Sequence, residues 1–353
     1  MRDFIRSTQE PLELAVQEPS TGISNAGPPP SLRRTSHIIT WRDRLDHCLA
    51  RWGYKRGQHR VAPGLYAMGQ PRETSPVLVT ANYTLSFDAV RSALADIDAY
   101  ILVLDTRGIN VWCAASKGTF GTDELVERIF ASGLHRVVRH RKLILPQLGA
   151  TGVSAHTVKQ RTGFRVAYGP VRASDLPSFL QTGEVTPEMR RVTFDLSQRL
   201  VLIPVELVHA LLPLLGAAVV LGLLAGPSAA LGAVLAVLAG TVLVPLLLPW
   251  LPFHDFSANG YLLGILAALP ATWATLETGT SGSWTTVARA IGLLIGLPAA
   301  TAYMAMNFTG ATPITSPSWV RREMSRYIPI MAVTVILGAL LIIAAAIGTW
   351  IGR

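Results

Sequence analysis

The chain has 353 residues and only two cysteines, with 31 Lys and Arg against 22 Asp and Glu for a formal net charge of +9. That length allows two domains, whereas two cysteines, with no C-x-x-C pair, exclude an iron–sulfur cluster or cysteine-built zinc site made by this chain alone. The charge is unevenly shared: residues 1–199 carry 26 basic and 18 acidic side chains, and residues 200–353 only 5 and 4.

Residues 1–35 are rich in Pro, Ser, Gly and Glu, include Pro28-Pro29-Pro30, and predict a disordered lead-in. Over 36–56, Ile38, Trp41, Leu45, Cys48, Leu49 and Trp52 recur at helical spacing, with Arg42, Arg44, Arg51 and Lys55 on other faces. The stripe predicts a helix packed on the soluble domain; the alternative is a basic face resting on anionic lipid. Strands are then expected at 77–81, 100–105, 141–145 and 164–168, and helices at 86–95, 123–132, 153–160 and 174–182. Thr122 is the expected cap of the second of these helices. Apolar strands alternating with helices imply a parallel sheet covered on both faces, a Rossmann-like α/β domain over 36–183. Ligands of such sheets bind beyond the carboxyl ends of the strands. Asn82-Tyr83-Thr84, the Cys113 segment, the loop from Pro146 to Gly152, and Gly169-Pro170 all fall on that rim.

Residues 184–199 read as a connector, and 200–353 as an all-α membrane domain. Apolar runs of roughly 20 residues suit one crossing each, which predicts five transmembrane helices at about 200–224, 229–250, 259–277, 285–307 and 328–350. The loop between the last two carries Arg321, Arg322 and Arg326, while the loops on the other side carry no Lys or Arg. Positive charge collects on the cytoplasmic side, which places the soluble domain and that loop in the cytoplasm and the protein in the cytoplasmic membrane as a multi-pass chain. The N-terminus lacks a secretory signal pattern, in keeping with this. Glu206, His209 and Arg289 sit near span ends and read as interface anchors rather than a transport path.

The chemistry concentrates in Asn110-Val111-Trp112-Cys113-Ala114-Ala115-Ser116-Lys117-Gly118. Neither G-x-G-x-x-G after a strand nor G-x-x-x-x-G-K-[ST] occurs, so dinucleotide and nucleoside triphosphate cradles are missing. The G-x-S-x-G elbow of a serine hydrolase and the D-x-H-x-x-G pattern of histidine-ligated corrinoid proteins are missing too. A soft cysteine sulfur suits a transition metal, and helix N-termini and nearby cations such as Lys117 favour thiolates. The competing reading is a buried, inert cysteine.

This segment resembles the Asn-(Val/Ile)-Trp-Cys-Ala-(Ala/Gly)-Gly-Lys cap helix of the HgcA family, the corrinoid proteins of microbial mercury methylation. That family is related to the corrinoid domain of the corrinoid iron–sulfur protein. Val79-Thr80-Ala81-Asn82-Tyr83, Leu104-Asp105-Thr106, Leu145-Pro146-Gln147-Leu148-Gly149-Ala150 and Tyr168-Gly169-Pro170-Val171-Arg172 extend the resemblance, which covers roughly 40–350. One departure is Ser116, where the family usually has Gly; a serine there is cheap in helical backbone and strained at positive φ.

The resemblance implies a corrinoid-binding α/β domain, with five transmembrane helices after it, acting as a corrinoid-dependent methyltransferase. Cys113 would be the lower axial ligand to the cobalt of a cobalamin, and a methyl group would pass to Hg(II) to give methylmercury. Asn110, Val111, Trp112 and Lys117 would shape the lower face. Thr80, Asn82, Gly149 and Gly152 would line the macrocycle and its tail. A ferredoxin-like iron–sulfur partner of the HgcB type would supply electrons and, as this chain has no vicinal thiols, deliver Hg(II). A methyl-folate-dependent enzyme would be the methyl donor, and no nucleic-acid partner is expected. Two alternatives stay open: a corrinoid methyl carrier of one-carbon metabolism with a non-mercury acceptor, and a membrane anchor with a cofactor-free domain.

Overall fold

Neighbouring strand residues point to opposite faces of a sheet, and here both faces are apolar. Leu78, Ile101 and Ile144 enter one core cluster, while Val79, Leu102 and Leu145 enter the other. The computed structural model describes residues 32–280, 282–310, 312 and 316–351. Its α/β half is built from strands β1 (Leu32–Thr35), β2 (Gly64–Met68), β3 (Val77–Ala81), β4 (Ala99–Leu104), β5 (Lys142–Leu145) and β6 (Arg165–Tyr168). The helices of this half are α1 (Trp41–Arg51), α2 (Thr84–Ala93), α3 (Val111–Lys117), α4 (Thr122–Ala131), α5 (Leu134–Val137), α6 (Ala155–Thr162) and α7 (Leu176–Thr182).

The sheet order is β1-β2-β4-β3-β5-β6. The pairs β4–β3, β3–β5 and β5–β6 are parallel, as expected of a doubly wound unit. From β3 the chain first crosses to β4 on one side and then returns to β5 on the other. The carboxyl ends of β3 and β5 therefore flank a topological switch point, where this class of sheet opens a crevice.

Four expectations change in this half. The sheet is mixed, because β2 runs antiparallel to β4; its five buried residues, Gly-Leu-Tyr-Ala-Met, offer no polar alternation to betray a strand. Leu32–Thr35, assigned to the disordered lead-in, is instead an edge strand parallel to β2, tied down where Arg33 donates to the Pro63 carbonyl at 2.8 Å. Residues 1–31 of that lead-in lie outside the described residues. Thr122 does not cap α4 through its side chain: Gly121 holds the cap position, and the Thr122 hydroxyl accepts from Ser154 N at 2.9 Å, joining α4 to the start of α6.

Helix α1 inverts its expected packing. Its capping box joins Thr40 and Asp43. The side it turns to the domain is polar: Asp43 pairs with Arg91, His47 with Asp88, and Asp46 with His59. The apolar stripe faces outward, with Trp41 68% exposed and Leu45 and Trp52 each 50%.

The apolar half comprises α8 (Leu196–Leu200), α9 (Ile203–Ala225), α10 (Pro227–Leu238), α11 (Val244–Leu247), α12 (Phe256–Thr278), α13 (Trp284–Asn307) and α14 (Pro317–Ile351). Among the described residues, four helical stretches are apolar enough, by length and composition, to cross a membrane: Leu196–Ala225, Pro227–Trp250, Trp284–Gly310 and Ser318–Ile351. The fifth expected crossing, 259–277, is a 23-residue helix, α12, that carries Ser257, Asn259, Tyr261, Thr272, Thr275, Glu277 and Thr278 and is not one of these four. It packs closely on α13: a Cβ on Gly260 would fall 2.5 Å from the Ala302 Cα, the small-residue contact typical of apolar helix pairs. The expected basic loop is also helical, since Arg321, Arg322 and Arg326 belong to α14. The connector ends inside helix, where Arg199 is buried and donates to the carbonyls of Pro245 (3.1 Å) and Leu246 (2.7 Å).

Candidate functional site

The rim is organised by Asn82, the residue that follows β3. Its Oδ1 accepts from Thr106 N (3.1 Å), Thr106 Oγ1 (2.9 Å) and Gly108 N (3.0 Å), and its Nδ2 donates to Asp105 Oδ1 (3.0 Å). The turn after β4 is thus folded around one side-chain amide. Arg107 and Gly108 take positive φ there, 59° and 74°; the Arg107 amide is held by Asp105, and the Asp105 amide by Glu124 from α4. The Thr106 hydroxyl, fully buried, donates to the Ile109 carbonyl at 2.6 Å and leads the chain into α3.

Helix α3 has seven residues, fixed at both ends. Asn110 caps it, its Oδ1 accepting from Cys113 N at 2.9 Å. Gly118 ends it at φ 81°, the left-handed conformation that glycine adopts without a Cβ clash. Val111, Ala114 and Ala115 are buried in the core beneath, while Trp112 and Cys113 are half-buried on the other side and Ser116 and Lys117 are exposed. Cys113 is therefore absent from the apolar core that α3 covers. Ser116 lies inside the helix, where its hydroxyl donates to the Trp112 carbonyl at 3.2 Å; the left-handed position is two residues later, so the serine brings no backbone strain.

Beside α3, at the switch point, is a cavity of about 330 Å³. Thr80, Leu145, Pro146 and Leu148 form its sheet side, Ala89 and Val90 of α2 and Leu176 of α7 one wall, and Asn110, Val111 and Trp112 the other. Cys113 does not line it. Of the remaining expected contacts, Gly149 and Gly152 serve close packing: a Cβ on Gly149 would sit 2.5 Å from the Phe120 ring, and one on Gly152 would overlap the Phe120 carbonyl oxygen and come within 3.0 Å of the Ala115 Cα. Tyr168, whose hydroxyl donates to the Val153 carbonyl at 2.6 Å, braces the same loop from β6, and its burial pushes the phenol above its ordinary pKa.

Thr80, Asn110, Val111 and Trp112 thus meet at one cavity, and Cys113 and Lys117 stand on the adjoining outer face. Asn82, Gly149 and Gly152 hold the supporting loops. Sequence reasoning missed Thr106, Phe120 and Glu124, which position α3. The Asp-Thr-x-Gly run before the helix was the available signal for the first, and nothing local pointed to the other two. Among the described residues, no group of three or more His, Cys, Asp or Glu side chains is placed to hold a metal ion.

Fold and rim together define a doubly wound α/β domain whose switch-point cavity is flanked by a short, cysteine-bearing helix. Residues 54–180 match the family model described as CO dehydrogenase/acetyl-CoA synthase delta subunit. The chain is 39% identical over 128 residues to the acetyl-CoA decarbonylase/synthase complex subunit gamma of Methanopyrus kandleri, and 34% identical over 127 residues to that of Methanothermobacter thermautotrophicus. It is 31% identical over 122 residues to the corrinoid/iron–sulfur protein large subunit of Moorella thermoacetica. These matches cover 36%, 35% and 34% of this chain and 27% of each relative. The chain therefore spans about a quarter of the length of these relatives, and the family match ends at residue 180, before the apolar helices. The α/β domain is thus similar to a corrinoid-binding family of one-carbon metabolism, and several of its relatives are by name subunits of larger complexes.

Proposed function

We propose that the α/β domain binds a corrinoid at the strand-end rim, that Cys113 would hold its cobalt, and that the protein transfers a methyl group to Hg(II). The observation that carries this reading is the outward placement of Cys113 on a helix clamped at both ends. A soft sulfur held there, with no neighbouring cluster of further ligands, suits a metal whose other bonds come with a macrocycle. The apolar cavity beside it is too small for a whole corrin ring and suits a flat base pendent from one. The residues therefore fit the group. A bound corrinoid supplies a methyl group carried on cobalt.

The chain's own residues then have distinct tasks. Asn110 fixes the helix turn that carries the sulfur, Trp112 presents an aromatic edge between the cavity and the outer face, and Lys117 adds a cation on the exposed side. Thr80 contributes a hydroxyl at the cavity floor. Asn82, Gly149 and Gly152 act one step back, through the turns that position α3. Five crossings, with α12 as the third, would hold the domain at the cytoplasmic face of the membrane. With two cysteines in all, the chain needs a separate ferredoxin-like iron–sulfur partner for electrons and for delivery of Hg(II), and a folate-dependent enzyme as methyl source.

The mercury acceptor is supported by the resemblance of the Asn110–Gly118 segment and by the apolar helices that follow. A second reading, a methyl carrier for acetyl-CoA metabolism, is favoured by the names of the matched relatives. Absorption spectra of the full chain loaded with cobalamin test the site: Cys113→Ala should change the cobalt bands, and bands indifferent to it would remove the sulfur from the metal. Incubation with methyl donor, reductant and Hg(II) separates the acceptors. Methylmercury supports the first reading; methyl transfer to another acceptor without methylmercury supports the second.

A further inference from the structure

Helix α1 is amphipathic in the inverted sense: its charged face is buried in pairing and its apolar face is bare. Asp43, Asp46 and His47 face the domain and are engaged by Arg91, His59 and Asp88. Trp41, Leu45, Cys48 and Trp52, spaced three or four residues apart, form one stripe along α1 and its C-cap, and all four are exposed, as is Ile38 just ahead of the helix. Arg42, Arg44, Arg51 and Lys55 flank it, and none forms an ion pair among the described residues. The Arg42 guanidinium lies over the Trp41 ring at 5.5 Å and the Lys55 ammonium over Tyr54 at 5.4 Å. The two acids of the helix are used internally, so its outer surface is apolar and purely cationic.

The position of α1 says what covers that surface. The chain leaves α1 through Gly53, where a Cβ would stand 3.1 Å from Val205 and 3.7 Å from His209. Both belong to the first two turns of α9, whose 23 residues, about 35 Å of helix, exceed a bilayer core of about 30 Å. Leu211, Leu212, Leu215, Val219 and Leu223 of α9 are exposed further along. The end of α1 therefore abuts the near end of an apolar helix, which on the membrane-spanning reading stands where headgroups meet acyl chains. Tryptophan rings flanked by cations match that layer.

We infer that α1 is an interfacial helix that docks on the anionic surface of the bilayer its own C-terminal half spans, with Trp41, Leu45, Cys48 and Trp52 inserted and Arg42, Arg44 and Arg51 on lipid phosphates. This rests on the membrane-spanning reading of the apolar half. It gives the α/β domain a second attachment besides the connector, on an element directly bound to α2, which lines the cavity.

The stripe contains its own reporter, Cys48. The full chain with Cys113→Ala keeps Cys48 as its single thiol for a nitroxide, and is reconstituted into vesicles of phosphatidylcholine alone or mixed with phosphatidylglycerol. A second sample carries the nitroxide at Leu340→Cys, mid-way along exposed α14, in a background lacking both native cysteines. In mixed vesicles the Cys48 label should be relaxed by oxygen and lose most of its collisions with an aqueous nickel chelate. Arg42→Glu, Arg44→Glu and Arg51→Glu together should restore those collisions. If Cys48 stays open to nickel while the Leu340 position is oxygen-relaxed, the docking of α1 is refuted and the membrane reading stands. If both positions are open to nickel, the membrane reading fails and takes the docking with it.

Discussion

Asn82→Ala removes the acceptor around which the turn into α3 is folded. Three donors lose their partner: the amides of Thr106 and Gly108 and the Thr106 hydroxyl, which still has the Ile109 carbonyl. Thr106 is fully buried and Asn82 nearly so, so water cannot replace the lost bonds without opening the turn. Each orphaned buried amide costs about 1–3 kcal/mol; for the two amides together we expect about 2–4 kcal/mol, or a factor of roughly 30–1,000 in the local opening equilibrium. Amide hydrogen exchange followed by mass spectrometry on peptides covering 105–118 reads that factor directly. The Cys113 amide, bonded to Asn110 downstream of the turn, should accelerate with Thr106 and Gly108, whereas β5 and β6 should not. Unchanged exchange in this stretch, or acceleration spread evenly over the sheet, would refute the assignment of Asn82 as the organiser of α3.

Three further outcomes are expected. Gly152→Ala drives a Cβ into the Phe120 carbonyl and the Ala115 backbone, so thermal unfolding of the full chain should reveal a loss of about 1–3 kcal/mol, the usual range for overpacking. Ser116→Gly relieves no strain, because Ser116 is helical; it should destabilise α3 by about 0.5 kcal/mol and modestly speed exchange at Ala115 to Gly118. His59 faces Asp46 Oδ1 at 2.7 Å and the Tyr54 carbonyl at 2.6 Å, both acceptors. Burial opposes its charge, but the Tyr54 carbonyl and the Asp46 carboxylate outweigh it and raise its pKa above 6.5. The stability this ring contributes should be complete below pH 6.5 and lost as pH rises through the raised value. Exchange across 46–60 should then accelerate on the alkaline side, and His59→Gln should abolish that dependence.

Periodicity revealed the elements whose environment is simple. Strands β3 to β6 and helices α2, α4, α6 and α7 follow from apolar runs broken by turns, and their carboxyl-end loops do meet at one rim. Strand β2 escaped because all five of its residues are buried, which removes the alternation that marks a half-exposed strand. The stripe on α1 was visible in the sequence, but its direction was not: it is set by Arg91 and Asp88 on another helix, forty or more residues away, which draw Asp43 and His47 inward. At the rim, the chemistry of Cys113, a soft sulfur beside Lys117, was readable locally, whereas the Asn110 cap emerged only from the structure. The role of Asn82 was not, since its hydrogen bonds reach residues 105–108 and the amide that looked free for a ligand is already saturated. Gly149 and Gly152 were legible as positions of close approach, yet the approaching group is Phe120, a contact no local pattern encodes.

Because α3 is pinned by Asn110 at one end and Gly118 at the other and seated on Ala114 and Ala115, its outer side chains stand ready before any ligand arrives. Ordering a mobile side chain at an interface costs about 0.5–1.5 kcal/mol, and a helix already frozen in place avoids much of that cost. On the proposed reading, affinity at this rim would be governed by shape and by the bond that Cys113 makes, and rates of loading by access to the surface rather than by rearrangement beneath it.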